Sequence, residues 1–211
     1  MEDILISIIR QSPEIEETLS VCTEYGLPNY YLAGGAVTQC IWNNLLSLPL
    51  LAKVKDFDVI YFCEEERHQE EIHEAAINNR VKHSIPIDVK NQAFVHEWYP
   101  KKFGNKIAPF KNVEEAFFTW IPAFALGIRK EENKYKVFAP FGLQDTMNMY
   151  IRPNKKIMSL KNFKKMAASF LERWPQIKVE PWELPTSNKP TEGLVERNNP
   201  ILFLSIVKTN R

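Results

Sequence analysis

Two acidic side chains, Asp56 and Asp58, stand two residues apart where the chain becomes strongly apolar, in the segment 55-KDFDVIYF-62. If this segment is a β-strand, both carboxylates point to the same face, about 7 Å apart along the strand. Like charges repel at that separation, so the pair is most easily stabilised by a cation between them. Mg²⁺ suits such a site because it is a hard ion that prefers carboxylate and phosphate oxygens. The pattern therefore predicts a metal site.

A glycine pair, Gly34-Gly35, separates a short apolar segment at 30–33, predicted to be a strand, from a predicted helix at 36–48. Glycines allow backbone N–H groups to approach a polyphosphate closely, and the helix start adds the positive end of its dipole. Two glycines before a helix are also a common turn, so this motif taken alone is weak evidence for phosphate binding.

A third acidic side chain, Asp88, lies in the predicted strand 87-IDVKN-91. A third carboxylate can complete a two-metal site or remove the proton from an attacking hydroxyl. Each part has a structural alternative, since a lone D-x-D often caps a loop or lies on a solvated edge. If the three strands are neighbours in one sheet, the ordered set predicts a metal-dependent phosphoryl or nucleotidyl transfer site.

The remaining pattern predicts the helices and strands that position these residues. Ser12-Pro13 begins a helix that ends at Gly26. The polar run 64–80 is predicted to be an exposed helix whose apolar stripe is Ile72, Ala75 and Ala76. The other predicted elements are a helix at 2–11, a helix at 112–120 capped by Asn112, a hairpin at 123–140 that turns at Glu132-Asn133, an extended Tyr150-Ile151 and an amphipathic helix at 160–174.

Length and composition indicate one globular domain: 211 residues, 45% hydrophobic, 25% charged, with a formal net charge of +1. That charge gives no overall basic field for a nucleic acid. Neither a signal peptide nor an apolar run of membrane-spanning length is seen, so we expect a cytoplasmic protein without a membrane partner. We assign residues 1–174 to the domain, with helices in 1–26 as a lead-in, and 175–211 to a proline-rich C-terminal arm that packs on it.

The ordered motifs resemble the nucleotidyltransferase superfamily typified by DNA polymerase beta and the tRNA CCA-adding enzymes. Within it, the chain is most similar to a small bacterial family whose substrate is unassigned. The likeness extends over about residues 30–175 and includes two distinctive blocks, 91-NQAFVH-96 and 139-APFGLQD-145. It implies an α/β (α+β) fold of the polymerase beta type, a mixed sheet flanked by helices with an extended C-terminal arm.

The resemblance also implies the site residues and the reaction. Asp56, Asp58 and Asp88 are the expected catalytic and metal-binding residues, with Mg²⁺ as the ion and Mn²⁺ as a substitute. The expected nucleotide-binding residues are Gly34, Gly35, Thr38, Lys55 and Gln92. The reaction is transfer of a nucleoside monophosphate from a nucleoside triphosphate (NTP) to an acceptor hydroxyl or phosphate, with release of pyrophosphate.

One motif departs from the family pattern. Relatives usually carry Arg-Asn where this chain has Thr38-Gln39. Loss of that guanidinium removes a bidentate contact to phosphate and puts the activity in doubt. Lys55 and Lys90 are the nearest replacements in sequence.

The acceptor is not defined by the sequence: a small molecule, a protein and an RNA are all open. The segment 152–178 carries eight basic residues against one acidic residue, Glu172, and is either the wet face of a helix or a docking face for phosphate or RNA. Two other functions stay open. One is a catalytically degenerate module that binds a nucleotide or a partner, and the other is a metal-dependent phosphoesterase.

Overall fold

A five-stranded mixed sheet with helices on both sides organises the chain in a computed structural model, which describes residues 1–104, 106–132, 134–156 and 158–183. The strands are β1 (Tyr31–Ala33), β2 (Phe57–Tyr61), β3 (Ile87–Asn91), β4 (Gly127–Glu131), β5 (Lys134–Phe138), β6 (Tyr150–Ile151) and β7 (Lys178–Val179). The helices are α1 (Glu2–Ile9), α2 (Pro13–Tyr25), α3 (Gly35–Leu45), α4 (Glu70–Asn78), α5 (Val95–Phe103), α6 (Glu114–Phe117), α7 (Gln144–Met147) and α8 (Leu160–Arg173).

The sheet has the strand order β3-β2-β1-β4-β5, so the three strands predicted to carry the site are neighbours. The β2–β3 pair is parallel, and the β1–β2, β1–β4 and β4–β5 pairs are antiparallel. The predicted mixed sheet flanked by helices is confirmed.

Local signals place most of the elements where the sequence predicts them. The Ser12 side chain accepts from the N–H of Ile15 at the start of α2, and Gly26 ends that helix with a φ of 77°. The Asn112 side chain accepts from the N–H of Glu115 at the start of α6. β4 and β5 form the predicted hairpin, and the predicted amphipathic helix at 160–174 is α8.

The predicted helix at 64–80 is wrong in its first part and in its apolar stripe. The side-chain amide of Asn91 donates to the carbonyls of Cys63 and Glu66, which ties this segment to the end of β3 and keeps it out of a helix. α4 therefore begins only at Glu70. Ile72 is 58% exposed, and Ile77 is the residue that is buried.

Two buried clusters lie on opposite sides of α3 and hold it in place. Val37, Cys40 and Ile41 join the main core under the sheet. Trp42 joins an aromatic cluster with Phe124 and Trp174 that links α3 to α8. α3 is therefore buried nearly all round, and its N-terminus is fixed relative to the sheet.

The C-terminal part of the described chain packs on this cluster. β7 pairs in parallel with β6, and Ile177 is buried beside Trp174. Residues 184–211, most of the predicted arm, lie outside the described residues. No helix within the described parts of the chain has the length and apolar character to cross a membrane.

Replacement of Trp174 tests the link between α3 and α8. Its ring is fully buried, and its indole N–H donates to Asn43 Oδ1 at 2.8 Å. We expect Trp174→Ala to lower the free energy of unfolding by about 3–5 kcal/mol, the usual cost of truncating a buried Trp. Leu171→Ala is the control on the same helix, because Leu171 is 39% exposed. Denaturant unfolding measures both, and equal losses from the two variants would contradict the packing described.

Candidate active site

The start of α3 is shaped by two glycines at which an added side chain would be tightly packed. Gly34 has a φ of 50°, and a Cβ there would lie 3.3 Å from the carbonyl oxygen of Phe124. A Cβ on Gly35 would lie 3.2 Å from Gln39 Nε2 and 3.5 Å from Asp58 Oδ2. The N–H of Gly34 donates to the carbonyl of Leu126 at 2.9 Å. The helix start thus lies directly beside the carboxylate of Asp58.

Asp58 and Asp88 face each other across the parallel β2–β3 pair. Their Cα atoms are register partners, so the side chains emerge on the same face about 5 Å apart. Asp56 lies just before β2 and is exposed. The sheet therefore brings Asp58 and Asp88 together and holds Asp56 at their edge.

The charge of Asp58 is poorly compensated. Its side chain is partly exposed to solvent but lines a cavity. The loss of hydration there raises the pKa of Asp58 to about 6. The negative charges of Asp56 and Asp88 raise the pKa further, and Lys90 and Lys102 oppose them. Such crowding of carboxylates is typical of a site that binds a cation.

Lys90 is the cation nearest to Asp88 on the same strand. Its ammonium group donates to Asp88 Oδ1 and lies 3.7 Å from Glu74 Oε2. Burial alone would lower the pKa of Lys90, but the hydrogen bond to Asp88 and the charges of Glu74 and Glu70 raise it. Asp88 is thus already neutralised in part by a side chain of its own strand.

The donor set suits a magnesium ion that is shared with a substrate. In the described residues, no three Asp, Glu, His or Cys side chains stand ready to hold a metal ion by themselves. Mg²⁺ in phosphoryl-transfer sites is bound through one or two carboxylates, with phosphate oxygens and water as its other ligands. Asp58 with Asp56 or Asp88 fits this requirement, and a cation bound there would offset the negative charges that raise the pKa of Asp58.

The other predicted nucleotide-binding residues, Gln92, Lys55 and Thr38, differ in their position relative to the cavity. Gln92 lines the cavity, and its amide donates to the carbonyl of Lys90 at 3.4 Å. Lys55 is exposed on the approach to β2 and is not among the residues that line the cavity. Thr38 is fully buried, and its hydroxyl donates to the carbonyl of Ala123 at 2.8 Å. The Thr38 side chain therefore faces the interior and does not reach the cavity.

The cavity beside the carboxylates has a volume of about 510 Å³ and mostly apolar walls. Its lining comes from α5, with Trp98 and Tyr99, and from α8 and the loop before β4. The aromatic residues of α8 and that loop are Trp120, Phe124 and Phe170. These residues were not predicted from the sequence to line the site, because aromatic residues at apolar spacing are equally typical of a core.

The basic segment 152–178 does not form one continuous face. Arg152 Nε lies 2.6 Å from Asp145 Oδ2, and Lys155 lies over the ring of Trp182. Lys161, Lys164 and Lys165 are exposed on α8. Arg173 points instead toward α3, where its guanidinium donates to Gln39.

The pKa of Asp58 predicts an unusual pH dependence of stability without divalent metal. Because the pKa rises from an ordinary 3.8 to about 6 on folding, the folded state binds more protons between these values. The contribution of Asp58 to the free energy of unfolding therefore falls as pH rises through this window. We expect Asp58→Asn to melt at a higher temperature than the wild type at pH 7, with the difference vanishing near pH 4. Thermal melts with EDTA measure this, and an Asn variant less stable at pH 7 would contradict the assignment.

The arrangement can be compared with known proteins. A sequence profile described as "Nucleotidyltransferase" matches residues 20–179. A solved structure, described as "The NMR structure of the protein reveals a CCA-adding enzyme head domain", matches with a TM-score of 0.69 and 22% identity. The match covers 83% of this chain and 94% of that chain, and at this identity it shows the fold alone. No curated protein matches the chain. The profile covers most of the chain and confirms the predicted resemblance, so the chain belongs to the nucleotidyltransferase family.

Proposed function

We propose that this protein is a magnesium-dependent nucleotidyltransferase, which moves a nucleoside monophosphate from an NTP to an acceptor. The observation that carries the proposal is the register of Asp58 with Asp88 beside the glycine start of α3. A carboxylate pair next to the N-terminus of a helix provides for a metal ion and a triphosphate at one place. Family membership supports the use of an NTP.

Each group has a role that follows from its position. The backbone at Gly34 and Gly35 binds the triphosphate, and Asp56 and Asp58 hold Mg²⁺ or Mn²⁺. When bound there, such an ion would supply positive charge that stabilises the phosphate oxygens. Asp88, on the neighbouring strand, accepts the proton of an acceptor hydroxyl.

In the chemical step, the acceptor oxygen forms a bond to the α-phosphorus. The bond between the α-phosphorus and the bridging oxygen breaks, and pyrophosphate leaves with its electron pair. Lys90, hydrogen-bonded to Asp88, orients that carboxylate toward the cavity. Positioning and electrostatics supply most of the catalysis in such a transfer.

The cavity offers room for the base and the acceptor. Trp120 and Phe124 lie next to Gly34, and the ring of Phe170 stacks on that of Phe124. These rings suit a stacked nucleobase, an interaction worth about 1–3 kcal/mol. Trp98 and Tyr99 of α5 line the same cavity, and in this scheme the acceptor contacts them. The exposed lysines of α8 suit an acceptor that carries phosphate, including RNA.

A nucleotide-binding module without catalysis is the second candidate. The buried Thr38 favours it, because no guanidinium reaches the phosphates from that position. The third alternative, a phosphoesterase, has no observation above in its favour and stays a prediction.

Removal of the two carboxylates at β2 tests the proposal. We expect micromolar binding of at least one Mg–NTP to the wild type, and binding at least about 100-fold weaker to Asp56→Ala/Asp58→Ala, since charge-assisted contacts contribute about 1.5–3 kcal/mol each. Isothermal titration calorimetry with each NTP and Mg²⁺ measures this. Glu2→Ala/Asp3→Ala is the matched control, because it removes two exposed carboxylates from α1.

The outcomes separate the two candidates. A wild type that binds no NTP would contradict the proposal. Metal-dependent NTP binding that never leads to pyrophosphate release, across small-molecule, protein and RNA acceptors, would favour the non-catalytic module.

A further inference from the structure

Arg173, in the last turn of α8, is fixed against α3 although 134 residues separate it from its partner there. Its Nη1 donates to Gln39 Oε1 at 3.3 Å and to the carbonyl of Lys53 at 3.4 Å. Its Cζ atom lies 4.6 Å from the ring centre of Phe170 and 4.8 Å from that of Trp174. Ring faces and carbonyl oxygens thus hold the guanidinium in one orientation.

This guanidinium borders the site of the proposed reaction. Gln39, which accepts its hydrogen bond, also lies beside Gly35, where an added Cβ would come within 3.2 Å of the Gln39 amide nitrogen. The same Cβ would lie 3.5 Å from Asp58 Oδ2, so Arg173 is separated from the carboxylate pair by one side chain. Burial lowers the pKa of Arg173, and the negative charge of Asp56 opposes that shift.

The charge of Arg173 is not matched by a direct ion pair. Among the described residues, the ion pairs closer than 4.0 Å do not include Arg173, and its hydrogen bonds go to an amide and to backbone carbonyls. A half-buried cation held by neutral acceptors retains capacity for an anion. Arg173 does not itself line the cavity. It contacts Gln39, which lies beside Gly35 at the start of α3, where the proposed function places a triphosphate.

We infer that Arg173 and Gln39 form a phosphate subsite that binds the terminal phosphates of the NTP. This inference rests on the proposed function. It assigns the positive charge at the terminal phosphates to Arg173, since the Thr38 side chain carries no charge. A guanidinium presents two parallel N–H donors to two phosphate oxygens, a fixed planar geometry that an ammonium group lacks, so Arg173 also orients the pyrophosphate that leaves. The structural alternative is that Arg173 only fastens α8 to α3.

Titration of three ligands separates the two roles. We expect Arg173→Gln to weaken binding of Mg–NTP by about 10–100-fold, from the loss of one charge-assisted contact. Binding of the matching nucleoside monophosphate stays within about 2-fold, since it lacks the terminal phosphates. Magnesium pyrophosphate binding weakens as NTP binding does, and Arg173→Lys gives an intermediate loss. Isothermal titration calorimetry with an NTP that has a non-cleavable α,β-bridge measures each affinity.

Arg80→Gln is the matched control for these measurements. Arg80 also lies over an aromatic ring, 4.9 Å from the centre of Tyr25, and donates to a backbone carbonyl, that of Ala76. It follows the end of α4 and is not among the residues that line the cavity, so its removal leaves NTP affinity unchanged. Melting temperatures of all variants show whether the fold is kept.

Each outcome decides a different point. A wild type with no NTP affinity would overturn the proposed function and this inference with it. A wild type that binds NTP, with an Arg173→Gln variant of equal affinity, would overturn the inference alone. Equal losses for triphosphate and monophosphate, together with a lower melting temperature, would show that Arg173 only fastens α8.

Discussion

The parallel register of β2 and β3 is the constraint on which the rest of the site depends. It sets Asp58 opposite Asp88 on one face, with Asp56 at the edge, and so concentrates negative charge that Lys90 and Lys102 offset only in part. A one-residue slip of this pair would turn one carboxylate to the other face. Hydrogen bonds from α4 stabilise this register. The Asn78 side chain bonds both backbone groups of Ile87, and Glu74 accepts from the N–H of Val89.

The second constraint is the packing of α3, whose glycine start is the proposed phosphate site. It is wedged between the main core and the aromatic cluster built with α8. Because Trp42, Phe124 and Trp174 are in mutual or shared ring contact, the α3 start, the loop before β4 and the end of α8 form one unit. The same packing buries Thr38 and places Arg173 within hydrogen-bonding distance of Gln39.

The sequence predicted the parts of the site that depend on local patterns. The pattern of apolar residues predicted β2 and β3, and the glycine pair predicted the start of α3. With these strands side by side in one sheet, the pattern also predicted that Asp58, Asp88 and Gly35 lie close together. What depends on distant packing was not predicted. The Thr38 side chain faces the interior because a second layer packs over α3. The contact of Arg173 with Gln39 joins residues that are far apart in the chain. The late start of α4 depends on Asn91, a residue beyond that helix in the chain.

We propose that the carboxylates and a nucleotide share one metal ion. Pulsed electron paramagnetic resonance of Mn²⁺, recorded with the protein and an NTP, tests this sharing. We expect a protein-bound Mn²⁺ signal that is coupled to the ³¹P nuclei of the nucleotide and is lost in the Asp58→Asn variant. A spectrum identical to that of Mn²⁺ and the NTP without protein, or one unchanged by Asp58→Asn, would contradict it.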